Sequence, residues 1–229
     1  MPESFDDDQS LTFRDQKFNS LFAQAHEQQS SHPALAIDLL QQALALIPHS
    51  PPALRLCGRI CQDSTRWQEA AQCFKTLTED EPDDCAAWID LGFCLEPMGD
   101  FEGAYAAYTK ASEVDDSDAI GLNNRGYLQM GRGQLEDALR DVEAALARDP
   151  NEGIVYATKA EVLTQMARYE EAFVALEQAI KTETEWLDTA DNSEFLANLR
   201  EQSEWDIWIA RIHAMYGSTA QDNRDSELN

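Results

Sequence analysis

The stretch CAAWIDLGFCLEPMGDFEGAYAAYTKASEVDDSD, residues 85–118, decides the fold. Its first third, Cys85 to about Glu96, carries apolar residues at helical spacing, and Pro97 with Gly99-Asp100 ends that run. A second amphipathic run from about Phe101 to Val114 follows, with Ala104, Tyr108 and Ala111 on one face. The stretch therefore reads as two helices joined by a tight turn. Small residues, Gly92 in the first helix and Ala104 in the second, let the two backbones approach, while large residues a turn away fill the flanking groove.

The same pattern recurs in both directions along the chain. Ala36, Ala70, Ala104, Ala138 and Ala172 stand 34 residues apart without insertion. Four residues after each comes a bulky one, namely Leu40, Phe74, Tyr108, Val142 and Leu176. Ala43, Leu77, Ala111, Ala145 and Ala179 form a third register; Pro48, Pro82, Asp116, Pro150 and Thr184 form a fourth. Twelve residues before the alanines lie Gly58, Gly92, Gly126 and Ala160, one small residue per first helix. A fixed period of this length marks a stack of identical supersecondary units, each burying the next.

The period, the opening Trp88-x-x-Leu91-Gly92, the alanine, the following aromatic and the terminal proline resemble the tetratricopeptide repeat. Leu54, Leu122 and Tyr156 hold the tryptophan position in other units. The resemblance implies an all-α fold, a right-handed helical solenoid of antiparallel helix-turn-helix repeats. It covers residues 17–186 as five units (17–50, 51–84, 85–118, 119–152, 153–186). The first departs most, lacking the small-residue register and turning at Ser30-Ser31-His32-Pro33. Residues 1–16 read as an acidic N-terminal segment. Asp188 to Asn192 reads as a polar break; 187–216 read as capping helices marked by Phe195, Leu196 and Leu199 and then by Trp205, Trp208, Ile209, Ile212 and Tyr216. Residues 217–229 read as a polar tail, and this tail and about the first ten residues are expected to fray.

Charge narrows the class of partner. The 229 residues include 43 acidic and 17 basic ones, a formal net charge of -26. Such a surface repels phosphate backbones and anionic lipid, so neither nucleic acid nor membrane is expected as a partner. Hydrophobic residues still make up 43%, which predicts a packed protein rather than a disordered acidic chain. No basic n-region or apolar run opens the chain, and the odd set Cys57, Cys61, Cys73, Cys85 and Cys94 shows no CxxC pair; both features point to the cytoplasm. Cys57 and Cys61 could share a helix face as a metal or redox pair, but their register places them in a packing seam.

No catalytic constellation is visible. His26, His32, His49 and His213 are scattered, and neither GxGxxG nor a P-loop signature occurs. The acidic clusters Glu79–Asp84 and Asp115–Asp118 lack the glycine and terminal glutamate of an EF-hand loop, and read as solvated junctions between units. The repeats leave 16 residues before them and 43 after, too few for an attached catalytic domain. No enzyme activity, cofactor or metal is expected.

The resemblance implies that first helices line a concave groove that holds a peptide or helix. By register the groove-facing residues are Arg55, Arg59 and Gln62; Ile89, Phe93 and Glu96; Asn123, Tyr127 and Met130; and Ala157, Glu161 and Thr164. Phe93, Tyr127 and Met130 are expected as apolar anchors. Arg55 and Arg59, one turn apart, could grip a carboxylate, or could pair with Asp63, Glu69 or Asp90. Asp90 interrupts the carboxylate-clamp pattern of chaperone-binding family members, so chaperone tail binding is not expected. The leading expectation is a scaffold or adaptor binding a protein or peptide segment in this groove. The alternative is an acidic dedicated chaperone or antidote that masks a basic partner protein.

Overall fold

The computed structural model describes residues 6–183 and 186–227. Thr184, of the proline register, and the chain ends 1–5 and 228–229 lie outside the described residues. Within them the regular secondary structure is all helical. The chain divides into two compact units, Met1–Val114 and Asp115–Asn229.

The first unit comprises α1 (Asp6–Gln28), α2 (Pro33–Leu46), α3 (Pro51–Asp63), α4 (Trp67–Asp80), α5 (Cys85–Leu95) and α6 (Phe101–Val114). They form three hairpins, α1/α2, α3/α4 and α5/α6, and each packs on the next through α2 against α3 and α4 against α5. The second unit holds the hairpins α7 (Ile120–Gly131)/α8 (Leu135–Arg148) and α9 (Gly153–Gln165)/α10 (Tyr169–Thr182). After them come α11 (Trp186–Asn192), a 3-10 turn (Glu194–Leu196), α12 (Ala197–Arg200) and α13 (Trp205–Glu227).

All fifteen residues of the three apolar registers are fully buried, from Ala36, Leu40 and Ala43 to Ala172, Leu176 and Ala179. The small-residue register explains how tightly each hairpin closes. A Cβ on Gly92 would lie 2.5 Å from the ring of Tyr108, and one on Gly58 would lie 2.6 Å from the ring of Phe74. In the first hairpin the buried small residue is Ala25, one position off that register.

The turns are built alike. Thr65, Gly99, Gly133 and Ala167, again 34 apart, all have positive φ, of 56°, 76°, 73° and 56°. Each sits where the chain leaves a first helix through a left-handed residue. The acidic junctions hold helix N-termini: Asp84 accepts from the Ala87 amide at 3.0 Å, and Asp118 from that of Gly121 at 3.1 Å.

The chain after the repeats differs from the expected pattern. Residues 186–192 form a helix, not a break, because Leu187 and Ala190 are buried and the helix packs against α10. Packing overrides the polar composition there. The ends also carry more helix than expected, α1 beginning at Asp6 and α13 running to Glu227. Trp205 and Trp208 of α13 close over Phe173 of α10, with ring centroids 6.3 Å and 5.3 Å away. No described helix is long and apolar enough to cross a membrane.

Candidate functional site

The register residues of α3 and α5 form the first part of the site. Arg55 donates to the Asp84 carboxylate, and Glu81 lies 4.0 Å from the same guanidinium. This arginine is thereby tied to the N-terminus of α5, with a partner that sequence reading did not name. Arg59 is exposed and makes no ion pair among the described residues. Beside it Asp90 is half-buried, with one carboxylate oxygen enclosed and lacking a hydrogen-bond partner. Burial raises the Asp90 pKa, and the charges of Arg59 and Arg55 oppose that rise.

Gln62 donates to the Asp90 carbonyl and to Cys94 Sγ, both at 3.3 Å, locking α3 to α5. Ile89 is half-buried. Phe93 is 51% exposed and meets Trp67 edge-on, with centroids 6.0 Å apart and planes at 71°. Trp67, the first residue of α4, belongs to this patch although the groove register omits it. Glu96 turns inward to the hydroxyl of Tyr108.

The second unit places its register residues differently. Tyr127 is 41% exposed, whereas Met130 is buried to 1% exposure among Leu163, Leu176 and their neighbours. Met130 is therefore a core residue and not an exposed anchor: Thr164 at its register on α9 is equally buried, where successive first helices meet. Asn123 is buried as well. Glu161 is buried and accepts a hydrogen bond from Ser193 Oγ at 2.6 Å. Burial raises its pKa, and that bond opposes the rise.

The chain's own non-repeat segment covers this face. Phe195 meets Tyr127 edge-on with centroids 6.0 Å apart and planes at 84°, and the 3-10 turn packs on α9. Nothing in the repeat period signals which surface a segment outside it will meet.

A separate cleft of about 620 Å³ lies along α4, α5 and α6. Trp88, Leu91 and Leu95 form its apolar part, with Lys75 and Lys110 among its lining residues. The indole N–H of Trp88 is already committed to the Pro82 carbonyl at 2.8 Å.

The cysteines carry no visible chemistry. All five are free thiols, and Cys57, Cys61 and Cys94 are buried. Among the described residues no group of three His, Cys, Asp or Glu is placed to hold a metal ion.

Stacked helical hairpins with small-residue seams and left-handed turns every 34 residues define a helical-repeat protein. Tetratricopeptide-repeat profiles match residues 27–92, 98–152 and 123–185. The chain belongs to the tetratricopeptide-repeat family.

Among curated relatives, it is 32% identical over 108 residues to the heat-shock protein cognate co-chaperone sgt12 of Aspergillus fumigatus, covering 47% of this chain and 31% of that one. It is 30% identical over 130 residues to a probable UDP-N-acetylglucosamine–peptide N-acetylglucosaminyltransferase, SPINDLY, of Hordeum vulgare, covering 54% of this chain and 14% of that one. The matches thus span under a third of either relative. Of solved structures, pilF of Pseudomonas aeruginosa superposes with a TM-score of 0.65 at 15% identity, over 94% of this chain and 99% of that one. YrrB, described as a tetratricopeptide-repeat protein with an unusual peptide-binding site, gives 0.57 at 18%, over 75% and 91%. These likenesses are likenesses of fold.

Proposed function

We propose that this protein is a non-enzymatic interaction adaptor that takes a protein segment on the register face of its first helices. The observation that carries this reading is the exposed aromatic Phe93, propped edge-on by Trp67, with the exposed Arg59 at the same register position on the preceding first helix and its charge acting on the half-buried carboxylate of Asp90. Rigid aromatics and arginine are the residue types that carry most binding energy at protein interfaces. A relative that is a co-chaperone and a neighbour with a peptide-binding site support a protein partner. The transferase match covers 14% of that relative and brings no activity with it.

Within this reading Phe93 is the apolar anchor and Arg59 sets the polarity of the bound segment. Arg55, Gln62, Ile89 and Glu96 shape the surface behind them. Capture of partners on the immobilised protein, beside the Phe93→Ala/Arg59→Ala variant, tests it. The variant is expected to stay folded and lose the partner; retention with unchanged affinity removes the reading.

The net charge of -26 favours a second reading, an acidic chaperone or antidote masking a basic partner protein. Its partner would leave as salt is raised and would be indifferent to the variant. Both readings place the protein in the cytoplasm.

A further inference from the structure

Arg59, Phe93, Tyr127 and Glu161 occupy one register position on four successive first helices. In the second unit two of them are spanned by a single short stretch of the same chain. Ser193 donates its hydroxyl to Glu161, Phe195 sets its ring edge-on to Tyr127, and Leu196 is fully buried between α9, α10 and the cap. Ser193 is extended, with φ -62° and ψ 127°. Arg200 holds the stretch from behind, donating to the carbonyls of Ala190 at 3.2 Å and Ser193 at 2.9 Å. One polar anchor, one aromatic at the rim and one buried aliphatic are the means by which a groove holds a peptide.

Two features distinguish this contact from ordinary core. Tyr127 and Phe195 remain 41% and 37% exposed, so their pairing is made at a surface. Glu161, by contrast, is a buried carboxylate that accepts from the Ser193 hydroxyl, and burial without that donor would cost it a hydrogen bond. The face thus demands a hydroxyl and an aromatic from whatever covers it. A tethered segment meets that demand at an effective concentration on the order of millimolar, so its intrinsic affinity need not be high.

We propose that the Tyr127–Glu161 face is a binding site for a protein segment bearing a hydroxyl, an aromatic and an aliphatic side chain at positions i, i+2 and i+3, and that Ser193–Leu196 holds it in cis. A partner segment of that chemistry competes with the chain's own. This rests on the reading that register faces take protein segments, but its test needs no partner. Loss of the Phe93 and Arg59 result would sink that reading and leave the peptide result standing.

The probe is a fluorescein-labelled peptide of residues 190–200, followed by anisotropy on the full chain. The Ser193→Ala/Phe195→Ala variant is expected to bind it at least about tenfold more tightly than the unaltered protein, in line with release of a tethered competitor. Adding Tyr127→Ala is expected to abolish that gain. Equal affinity in the variant and the unaltered protein, or a gain indifferent to Tyr127, overturns the proposal. Hydrogen exchange on the unaltered protein gives a second measure should the variant fail to fold. Excess unlabelled peptide is expected to speed exchange at residues 193–196 and leave α10 unchanged; unaltered exchange at 193–196 overturns it.

Discussion

Tyr108 donates its hydroxyl to Glu96 across the turn of the third hairpin, at 2.5 Å. This bond draws a carboxylate expected on the groove into the hairpin interior. Burial raises the Glu96 pKa, with the Tyr108 bond opposing, and raises that of the phenol further. A carboxyl whose pKa is higher folded than unfolded contributes most to stability when protonated, and that contribution is lost as pH rises through the folded value. Glu96→Gln keeps an acceptor for Tyr108 and removes the charge. It is expected to raise stability at pH 7, with the gain fading as pH falls from the raised folded value towards the ordinary glutamate value of 4.5 and gone below it. Urea unfolding at pH 7 and pH 4 checks this; an equal effect at both would show that burial of charge is not the cause.

The seam between helices makes a sharper prediction. Gly58→Ala places a methyl 2.6 Å from the Phe74 ring, which must shift. Overpacking of this kind costs about 1–3 kcal/mol. In the fifth unit the same register pair is Ala160 and Leu176, both fully buried, so alanine is tolerated where the facing residue is not aromatic. Gly58→Ala in a Phe74→Leu background is therefore expected to cost less than about 1 kcal/mol, a coupling typical of residues in contact. Additive losses in denaturant unfolding would contradict it.

Thr65 and Ala167 stand in the left-handed region at the position where the other two turns have Gly99 and Gly133. A side chain there costs about 1–2 kcal/mol, against the smaller entropic penalty of glycine in the unfolded chain. Thr65→Gly and Ala167→Gly are each expected to stabilise by about 0.5–1 kcal/mol on that balance. A fall in stability at both positions would rule out backbone strain as the governing term.

The repeats were legible because a single period binds sequence to packing. The fifteen register residues recur at one spacing from unit to unit and are all fully buried, so a pattern in one dimension fixed burial in three. Helix bounds in the third unit, Cys85–Leu95 and Phe101–Val114, follow from the same proline and glycine punctuation. The site was only partly legible. Register put Phe93, Tyr127 and Met130 on one face, but the adjoining hairpin determines exposure, and it buries Met130. Arg55 pairs with Asp84 because that aspartate caps α5, a geometry that residue spacing along α3 does not contain. The stretch 186–196 lies outside the period, and its docking on α9 and α10 is decided by side chains that repeat nowhere else.

The cysteines give a chemical readout of the first unit. Cys57, Cys61 and Cys94 are buried, whereas Cys73 and Cys85 are partly exposed. The Cys57 pKa is pushed up to about 12, against a hydrogen bond from Cys61 and by its contact with Cys73 and by burial; burial pushes that of Cys94 up to about 11. The Cys61 thiol is raised by its bond to Cys57 and by burial. Thiol reactivity follows the thiolate fraction and access, and both are low at these three positions. Titration of the folded protein with an aromatic disulfide reagent at pH 8 is expected to modify Cys73 and Cys85 promptly. The other three should react at the rate of unfolding, and together. Prompt reaction of all five would mean that α3 and α5 open independently of the rest of the first unit. A single slow phase for the three buried thiols, accelerated by Gly58→Ala, would tie their protection to the seam that Gly58 and Phe74 close.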